Sequence, residues 1–310
     1  MALGGTSQHS VWGCALGSDG MVSCWGNGAS TVTNSMPSPA GPFSAISGNH
    51  GHICAIYQTT RRVVCWGSCP NKRWGSTNYQ NACEPDDPTT EFAMISAGMY
   101  HTCGIRYSDS QIECWGTHAS AGGTDKLSGT GTYYLLVVPS NPPVDGYSDI
   151  SVSHENACAI EKTSKLVKCW GNDSQGQSTP PNGQMLSSLS SNLGYFYACG
   201  IDANTNDAVC WGAHHSGKPF GAGVAISQMT DSWNQRTCVI KADKYMTCTS
   251  NDGYAPPPDV KATELVGGWV SSCWKKESGG GIACAPCDNA AIQTTATQSV
   301  CKDIPAALQR

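Results

Sequence analysis

A cysteine pair followed by Trp-Gly recurs along the chain and limits its fold more than any other feature. The triplet Cys-Trp-Gly occurs five times, each time with another cysteine ten or eleven residues upstream, and two further pairs lack the Trp-Gly. The first cysteines of successive units lie 35 to 55 residues apart, a spacing typical of repeat architectures. The seven pairs are Cys14 with Cys24, Cys54 with Cys65, Cys103 with Cys114, Cys158 with Cys169, Cys199 with Cys210, Cys238 with Cys248, and Cys273 with Cys284.

Each unit has the pattern of a β-hairpin. In the first unit, Asp19-Gly20 stands midway between the two cysteines, and Asp-Gly between apolar residues is a strong hairpin signal. Folding about this turn places the cysteines opposite each other, close enough for a cross-strand disulfide. A short apolar strand precedes the first cysteine, as at 43–47 and 93–97, and a fourth strand is clearest at 133–138.

Four short strands in each of seven units predict an all-β fold, a seven-bladed β-propeller with a disulfide in each blade hairpin. The blades are centred on the cysteine pairs, and one domain is expected to cover residues 1–310. A linear solenoid is the competing arrangement, although β-solenoids normally use shorter repeats.

The remaining cysteines extend the disulfide pattern. Of the 18 cysteines, four lie outside the hairpins and form two sets of equal spacing, Cys69 with Cys83 and Cys287 with Cys301. We therefore predict nine disulfides and an oxidising, extracellular compartment. A zinc site is disfavoured, because the one Cys-x-x-Cys, at 284–287, divides its sulfurs between two predicted pairs.

Charge and composition disfavour several classes of function. The net charge is −5 and no basic run occurs, so no nucleic-acid partner is expected. No apolar stretch approaches the length of a membrane span, so no membrane insertion is expected.

The first residues lack the features of a signal peptide, which implies a mature or engineered start or an unconventional export route. Asn172-Asp173-Ser174 is an acceptor for N-glycosylation at Asn172 if the chain crosses the secretory pathway.

The chain contains no persuasive catalytic or cofactor motif. It has no G-x-S-x-G elbow, H-E-x-x-H helix, P-loop or strand-linked G-x-G-x-x-G, so we expect no cofactor, no metal and no catalysis. A glycosidase with its two carboxylates on separate blades stays open. The tryptophans of the Cys-Trp-Gly triplets are expected to pack between blades. Arg61-Arg62, at a hairpin tip, is expected to be a solvated turn.

The segments just before the first cysteines vary from unit to unit. Since the blades repeat, these segments should gather on one face around the central channel, where a constant scaffold presents variable loops. The predicted ligand-binding residues are Trp12, His52, Tyr100, His101, His154, Asn156, Phe196, Tyr197, Trp233, Arg236 and Trp269. Aromatic rings can stack on sugars or anchor protein partners, and polar groups add directional hydrogen bonds. The alternative is that several of them plug the channel, and that His52 and His101 bond to backbone within their blades.

Two segments carry a family resemblance. His101-Thr102-Cys103 through Gly116, and Cys169 through Gln177 followed by Pro-Pro, resemble the repeat of the regulator of chromosome condensation. The cysteine-rich form is similar to extracellular propellers of this superfamily, among them the CRINKLY receptor-kinase ectodomain and a secreted β-lactamase inhibitor. The resemblance spans nearly the whole chain and implies the propeller fold, but fold alone transfers no function.

These observations predict a secreted, non-catalytic recognition module. Its ligand would be a glycan, bound as by a lectin, or a protein surface, bound through the varied loops on one face. Two alternatives stay open: a structural component of an extracellular coat, matrix or filament, for which the chain would form oligomers, and a protein inhibitor of an enzyme.

Overall fold

Seven three-stranded antiparallel sheets, one for each repeat unit, make up the computed structural model. The structure describes residues 1–7, 10–37, 41–68, 85, 87–99, 101–116, 119–120, 136–137, 141–191, 193–194, 196–213, 219–231, 236–249, 260–268, 272–285 and 304–305. The two predicted loop disulfides, Cys69 with Cys83 and Cys287 with Cys301, lie outside these residues. Within them, no helix has the length and apolar character needed to cross a membrane.

The strands follow the repeat closely. The first three blades comprise β1 (Ala2–Ser7), β2 (Ser10–Leu16) and β3 (Val22–Trp25), then β4 (Phe43–Asn49), β5 (His52–Tyr57) and β6 (Val63–Gly67), then β7 (Phe92–Ala97), β8 (His101–Arg106) and β9 (Ile112–Gly116). A short helix, α1 (Ala29–Thr33), follows β3, and the connection after β9 contains β10 (Ala119–Ser120) and β11 (Leu136–Val137). The last four blades comprise β12 (Tyr147–Val152), β13 (Asn156–Glu161) and β14 (Val167–Gly171), β15 (Leu186–Leu189), β16 (Tyr197–Asp202) and β17 (Ala208–Gly212), β18 (Ile226–Asp231), β19 (Thr237–Lys241) and β20 (Met246–Thr249), and β21 (Ala262–Gly267), β22 (Ser272–Lys276) and β23 (Ile282–Ala285).

The expectation of a fourth strand in each blade is wrong for the described residues. Each blade has three strands, and Leu136–Val137 pairs in parallel with Ala119–Ser120 instead of extending a blade. The glycine of the Cys-Trp-Gly triplet explains why the third strand stops. Gly67 has φ of 104°, and an added Cβ would lie 2.4 Å from the carbonyl oxygen of Gly51. Only glycine adopts this conformation readily, and here it turns the chain out of the sheet.

The predicted hairpin disulfides are confirmed in all seven blades. Each pair of cysteines faces its partner across the second and third strands, as Cys14 faces Cys24 and Cys103 faces Cys114. The Cα atoms of the bonded cysteines lie 4.0 to 4.1 Å apart. Each bond therefore joins two neighbouring strands of one blade and closes a loop of only ten or eleven residues.

A tryptophan of one blade covers the disulfide of the blade before it. Trp115, in the third blade, packs in one apolar cluster with Cys54 and Cys65 of the second blade and with Phe92. The same arrangement places Trp66 with Cys14 and Cys24, Trp170 with Cys103 and Cys114, Trp211 with Cys158 and Cys169, and Trp25 with Cys273 and Cys284. The five tryptophans are 2% to 8% exposed, so the expectation that they pack between blades is confirmed.

The last two blades use other residues for the same purpose. Trp274, next to the first cysteine of its own hairpin, packs with Cys238 of the sixth blade. Because Trp25 of the first blade contacts Cys273 of the seventh, the ring closes by side-chain packing between the first and last blades. At the boundaries between neighbouring blades, apolar side chains thus exclude water from the disulfides.

Candidate functional site

The residues predicted to bind a ligand stand where the first strand of each blade turns into the second. Their described members are mostly buried: Trp12, His52, His101, Asn156, Tyr197 and Arg236 are each 3% exposed or less. His154 and Phe196 are partly exposed. Tyr100, Trp233 and Trp269 lie outside the described residues. Burial of the six favours the alternative role, packing within the propeller, over contact with a ligand.

Two of these buried side chains, His52 and Tyr197, form hydrogen bonds to the next blade. Nε2 of His52 lies 3.0 Å from Oγ1 of Thr102 on the next blade. The hydroxyl of Tyr197 donates to the carbonyl of Arg236, also on the next blade, at 3.2 Å. The bond of His52 to a hydroxyl of the neighbouring blade differs from the expected backbone bond within its own blade. Such contacts align adjacent blades and satisfy polar groups that water cannot reach.

Burial also sets the charge state of two side chains. Burial, and secondarily the charge of His50, lowers the pKa of His52 to about 4, so its imidazole is neutral near pH 7. Burial raises the pKa of Asp231 to about 7, against the opposing effect of hydrogen bonds from Thr237 and Ser190. Thr237 Oγ1 donates to Asp231 Oδ1 at 2.8 Å. Both side chains are almost fully buried in the propeller, which favours a structural role for them. Among the described residues, no group of three or more His, Cys, Asp or Glu side chains is placed to hold a metal ion.

The central channel is a cavity of about 570 Å³ lined by the first strands of the blades. Its described carboxylates, Asp149 and Glu264, both have partners. Oδ2 of Asp149 accepts the N–H of Leu189 on the next blade at 2.8 Å, and Glu264 contacts the ammonium group of Met1 at 2.5 Å. Of the aromatic residues predicted to stack on a sugar, the described ones, Trp12, Phe196 and Tyr197, do not line this cavity. The channel wall therefore mixes serines and glycines with apolar side chains such as Met94 and Leu265, and its described acids connect neighbouring blades.

The predicted glycosylation site lies in a tight turn after the fourth hairpin. Asn172 is 6% exposed, and its Nδ2 donates to Oε2 of Glu155 at 2.7 Å. Its Oδ1 accepts the N–H of Ser174 at 2.8 Å. Farther along the turn, the carbonyl of Gln177 accepts the indole N–H of Trp211 on the next blade at 3.0 Å. Because Asn172 is buried against Glu155, a glycan on Nδ2 would require the turn to rearrange.

The opposite end of the propeller carries the hairpin tips, and each of the first six tips is bonded to the next blade. A residue with φ between 56° and 77° closes the tip, and its carbonyl accepts the N–H that begins the next blade. The six pairs are Gly20 with Phe43, Arg61 with Phe92, Ser110 with Tyr147, Lys165 with Leu186, Asn206 with Ile226, and Lys244 with Ala262, at 2.8 to 3.0 Å. This end is therefore a rigid platform, which lowers the entropic cost of binding a partner.

Three exposed apolar side chains, Met21, Tyr107 and Val144, lie on or beside this platform, whereas Met94 lines the central channel. The four large hydrophobic residues that are exposed in the described part of the chain are Met21, Met94, Tyr107 and Val144. Tyr107 is 54% exposed, and the guanidinium carbon of Arg61 lies 3.6 Å from its ring centroid. Sequence reasoning missed this pair because it treated Arg61-Arg62 as a solvated turn. A tyrosine just after the second strand of the neighbouring unit was the available signal.

Comparison with solved structures finds propellers of the expected kind. The chain is 22% identical to the ectodomain of the receptor kinase CR4 from Physcomitrella patens, over 91% of this chain and 72% of that one, with a TM-score of 0.73. It is 21% identical to the CRINKLY WD40 ectodomain of the receptor kinase ACR4 from Arabidopsis thaliana, over 91% and 93%, with a TM-score of 0.68. Yeast RCC1 (Prp20), bound to Kap60, is 13% identical over 79% and 70%, with a TM-score of 0.56. The chain has the fold of these propellers.

The resemblance to the cysteine-rich, RCC1-like propellers is thus confirmed at the level of the fold. No protein-family model and no curated protein matches the chain. At these identities, shared architecture does not transfer a ligand, because one fold supports many functions. A functional conclusion has to come from the surface and the chemistry of this chain.

Proposed function

We propose that this chain is an extracellular, non-catalytic module that binds a protein partner. The observation that carries the proposal is the disulfide in every one of the seven blades. Disulfides of this density form and persist in oxidising compartments and are rare in the cytosol. A chain with this chemistry is suited to work outside the cell.

The comparisons support the protein-binding part of the proposal. Two structures with the same fold are ectodomains of receptor kinases, and another, the propeller Prp20p, is described for its binding to Gsp1p and histones. The rigid hairpin-tip platform supports the same reading, since pre-ordered surfaces bind proteins at low entropic cost. The partnered state of Asp149 and Glu264 in the channel supports a role without catalysis.

A capture experiment tests the proposal. The oxidised chain, immobilised by one terminus, is exposed to extracellular fluid of its source, and bound protein is competed with free chain. We expect a protein that binds saturably and is released by the free chain. The matched control is the same chain reduced and alkylated, which has the same sequence but not the fold. Absence of any saturable protein, or equal capture by the control, would contradict the proposal.

Glycan binding and self-assembly are separate outcomes of related measurements. The predicted stacking residues Trp12 and Tyr197 are buried, so no described feature favours a glycan. Saturable binding on a glycan array that a free sugar displaces would replace a protein with a glycan as the ligand. Concentration-dependent growth in light scattering would favour the coat or filament alternative instead.

A further inference from the structure

Exposed side chains lie on or beside neighbouring hairpin tips of the first three blades. We call the residues Met21, Arg61, Tyr107 and Val144 the tip arc. Backbone hydrogen bonds place these residues on or beside successive hairpin tips around the ring. A contiguous apolar patch on a soluble protein commonly marks a binding site, whereas scattered single residues do not.

The first link joins Met21 to the second blade. A Cβ added to Gly41 would lie 3.2 Å from Sδ of Met21, so this side chain rests on the segment that enters the second blade. In the same segment, the carbonyl of Pro42 accepts the N–H of Gln58, which belongs to the second hairpin tip. Met21 and Arg61 are therefore on adjacent tips.

The second link joins the third tip to Val144. Nε2 of Gln111 donates to the carbonyl of Pro143 at 2.9 Å, which holds the chain beside the third tip. Val144, the next residue, is fully exposed at 101%. Tyr107 begins the same tip and donates its own N–H to the carbonyl of Glu91. Tyr107 and Val144 therefore lie on and beside the third tip.

The centre of the arc has the chemistry of a binding hot spot. Tyrosine and arginine are enriched where alanine substitution costs the most binding energy. Arg61 stacks on Tyr107, and none of the described ion pairs involves Arg61. Arg106, next to Tyr107 on the third blade, differs, because its guanidinium is held by Asp109 at 3.0 and 2.7 Å. Arg61 therefore presents an arginine fork that a planar carboxylate matches.

The backbone under the arc is already fixed. The carbonyl of Arg61 accepts the N–H of Phe92 at 2.9 Å, and the carbonyl of Ser110 accepts that of Tyr147 at 2.8 Å. A partner would not have to order these tips on binding, so only side chains lose freedom.

We propose that the tip arc is the surface that holds the protein partner, and that the partner presents a carboxylate beside apolar side chains. The carboxylate pairs with Arg61, and the apolar groups cover Tyr107, Met21 and Val144. This inference rests on the proposed function and names its site and the chemistry of its partner. It places recognition on the end of the propeller opposite to the variable segments that the sequence singled out.

The test uses random peptides displayed on phage as the probe and the full oxidised chain as the target. We expect the recovered peptides to be enriched in Asp or Glu next to apolar residues. For one such peptide, made synthetically, calorimetry should give a dissociation constant that rises about tenfold or more for Tyr107→Ala and for Arg61→Glu, as expected of hot-spot residues. Tyr107 is more than half exposed, so its truncation should leave the thermal melt unchanged.

A matched control lies on the same platform across the ring. Nζ of Lys261, just before the first strand of the seventh blade, lies 4.9 Å from the ring centroid of Tyr245 on the sixth hairpin, which gives a second cation–aromatic pair. Tyr245→Ala and Lys261→Glu should leave the dissociation constant within about twofold of the unchanged chain, because single surface changes away from a site are small.

The outcomes separate the inference from the function beneath it. Peptides that bind the unchanged chain and both tip-arc variants equally would overturn the tip arc as the site and leave protein binding intact. Recovery of basic peptides would also overturn the tip arc as the site. So would control substitutions that weaken peptide binding as much as the tip-arc substitutions do. If the capture experiment fails and no peptide binds saturably, the proposed function and the inference both fall.

Discussion

Truncation of Trp115 to alanine tests the packing that joins neighbouring blades. This side chain is 2% exposed and packs on Cys54, Cys65 and Phe92, with its ring centroid 5.3 Å from that of Phe92. Removing a buried tryptophan costs about 3 to 5 kcal/mol, from lost burial and from the cavity left behind. For 310 residues the unfolding entropy is roughly 0.65 kcal/mol per kelvin, so we expect the melting temperature to fall by about 5 to 8 °C.

Scanning calorimetry at fixed concentration and scan rate measures this fall. The control is Met21→Ala, which truncates a side chain that is 43% exposed and should shift the melt by less than about 1 °C. Mass spectrometry under non-reducing conditions should show the bond between Cys54 and Cys65 still formed in the Trp115 variant. A Trp115 variant that melts within about 1 °C of the unchanged chain would refute the reasoning that these tryptophans hold neighbouring blades together.

Three further predictions concern buried polar groups. Burial raises the pKa of Asp231 to about 7, so between about pH 4 and 7 the native state keeps a proton that the unfolded chain releases. The free energy of unfolding should therefore fall by on the order of 4 kcal/mol as the pH rises from about 4 to 7. Asp231→Asn should remove that slope in urea titrations, and an unchanged slope would count against the buried carboxyl. Burial lowers the pKa of His52 to about 4, so stability should fall by on the order of 3 kcal/mol as the pH drops from about 6.5 to 4. His52→Gln should flatten this fall, whereas a fall of equal size in the variant would assign it to other groups. Asn172 should be unmodified in the folded, secreted protein, because its side chain is buried with Nδ2 held against Glu155. A glycan found there by peptide mass spectrometry would contradict that burial.

The local pattern was sufficient to predict the blades. Asp19-Gly20 sets the turn, the turn sets the register, and the register places Cys14 opposite Cys24. Each step depends on neighbours in sequence, so the hairpin and its disulfide follow from the residues alone. The repeat then supplies the number of blades. The fourth strand was wrong because the pattern does not reveal where Gly67 turns the chain away.

The candidate site was harder to predict, because exposure depends on the neighbouring blade. His52 precedes a cysteine in a variable segment, which is typical of a loop that binds ligand. It is buried because Thr102, fifty residues later, approaches it from the next blade. Tyr107 and Arg61 come together in the same way, across two hairpin tips distant in sequence. Neither contact is encoded by a motif, so both required the arrangement of the blades around the ring.

Non-reducing peptide mapping by mass spectrometry tests the central claim most directly. The claim is that every blade is closed by its own disulfide, and that the described parts of neighbouring blades join through packing and hydrogen bonds. The account predicts a linked peptide pair for each of the seven hairpins, such as Cys158 with Cys169 and Cys273 with Cys284, beside the two predicted loop pairs, Cys69 with Cys83 and Cys287 with Cys301. Free thiols at these positions, or a bridge that joins cysteines of two different blades, would contradict it.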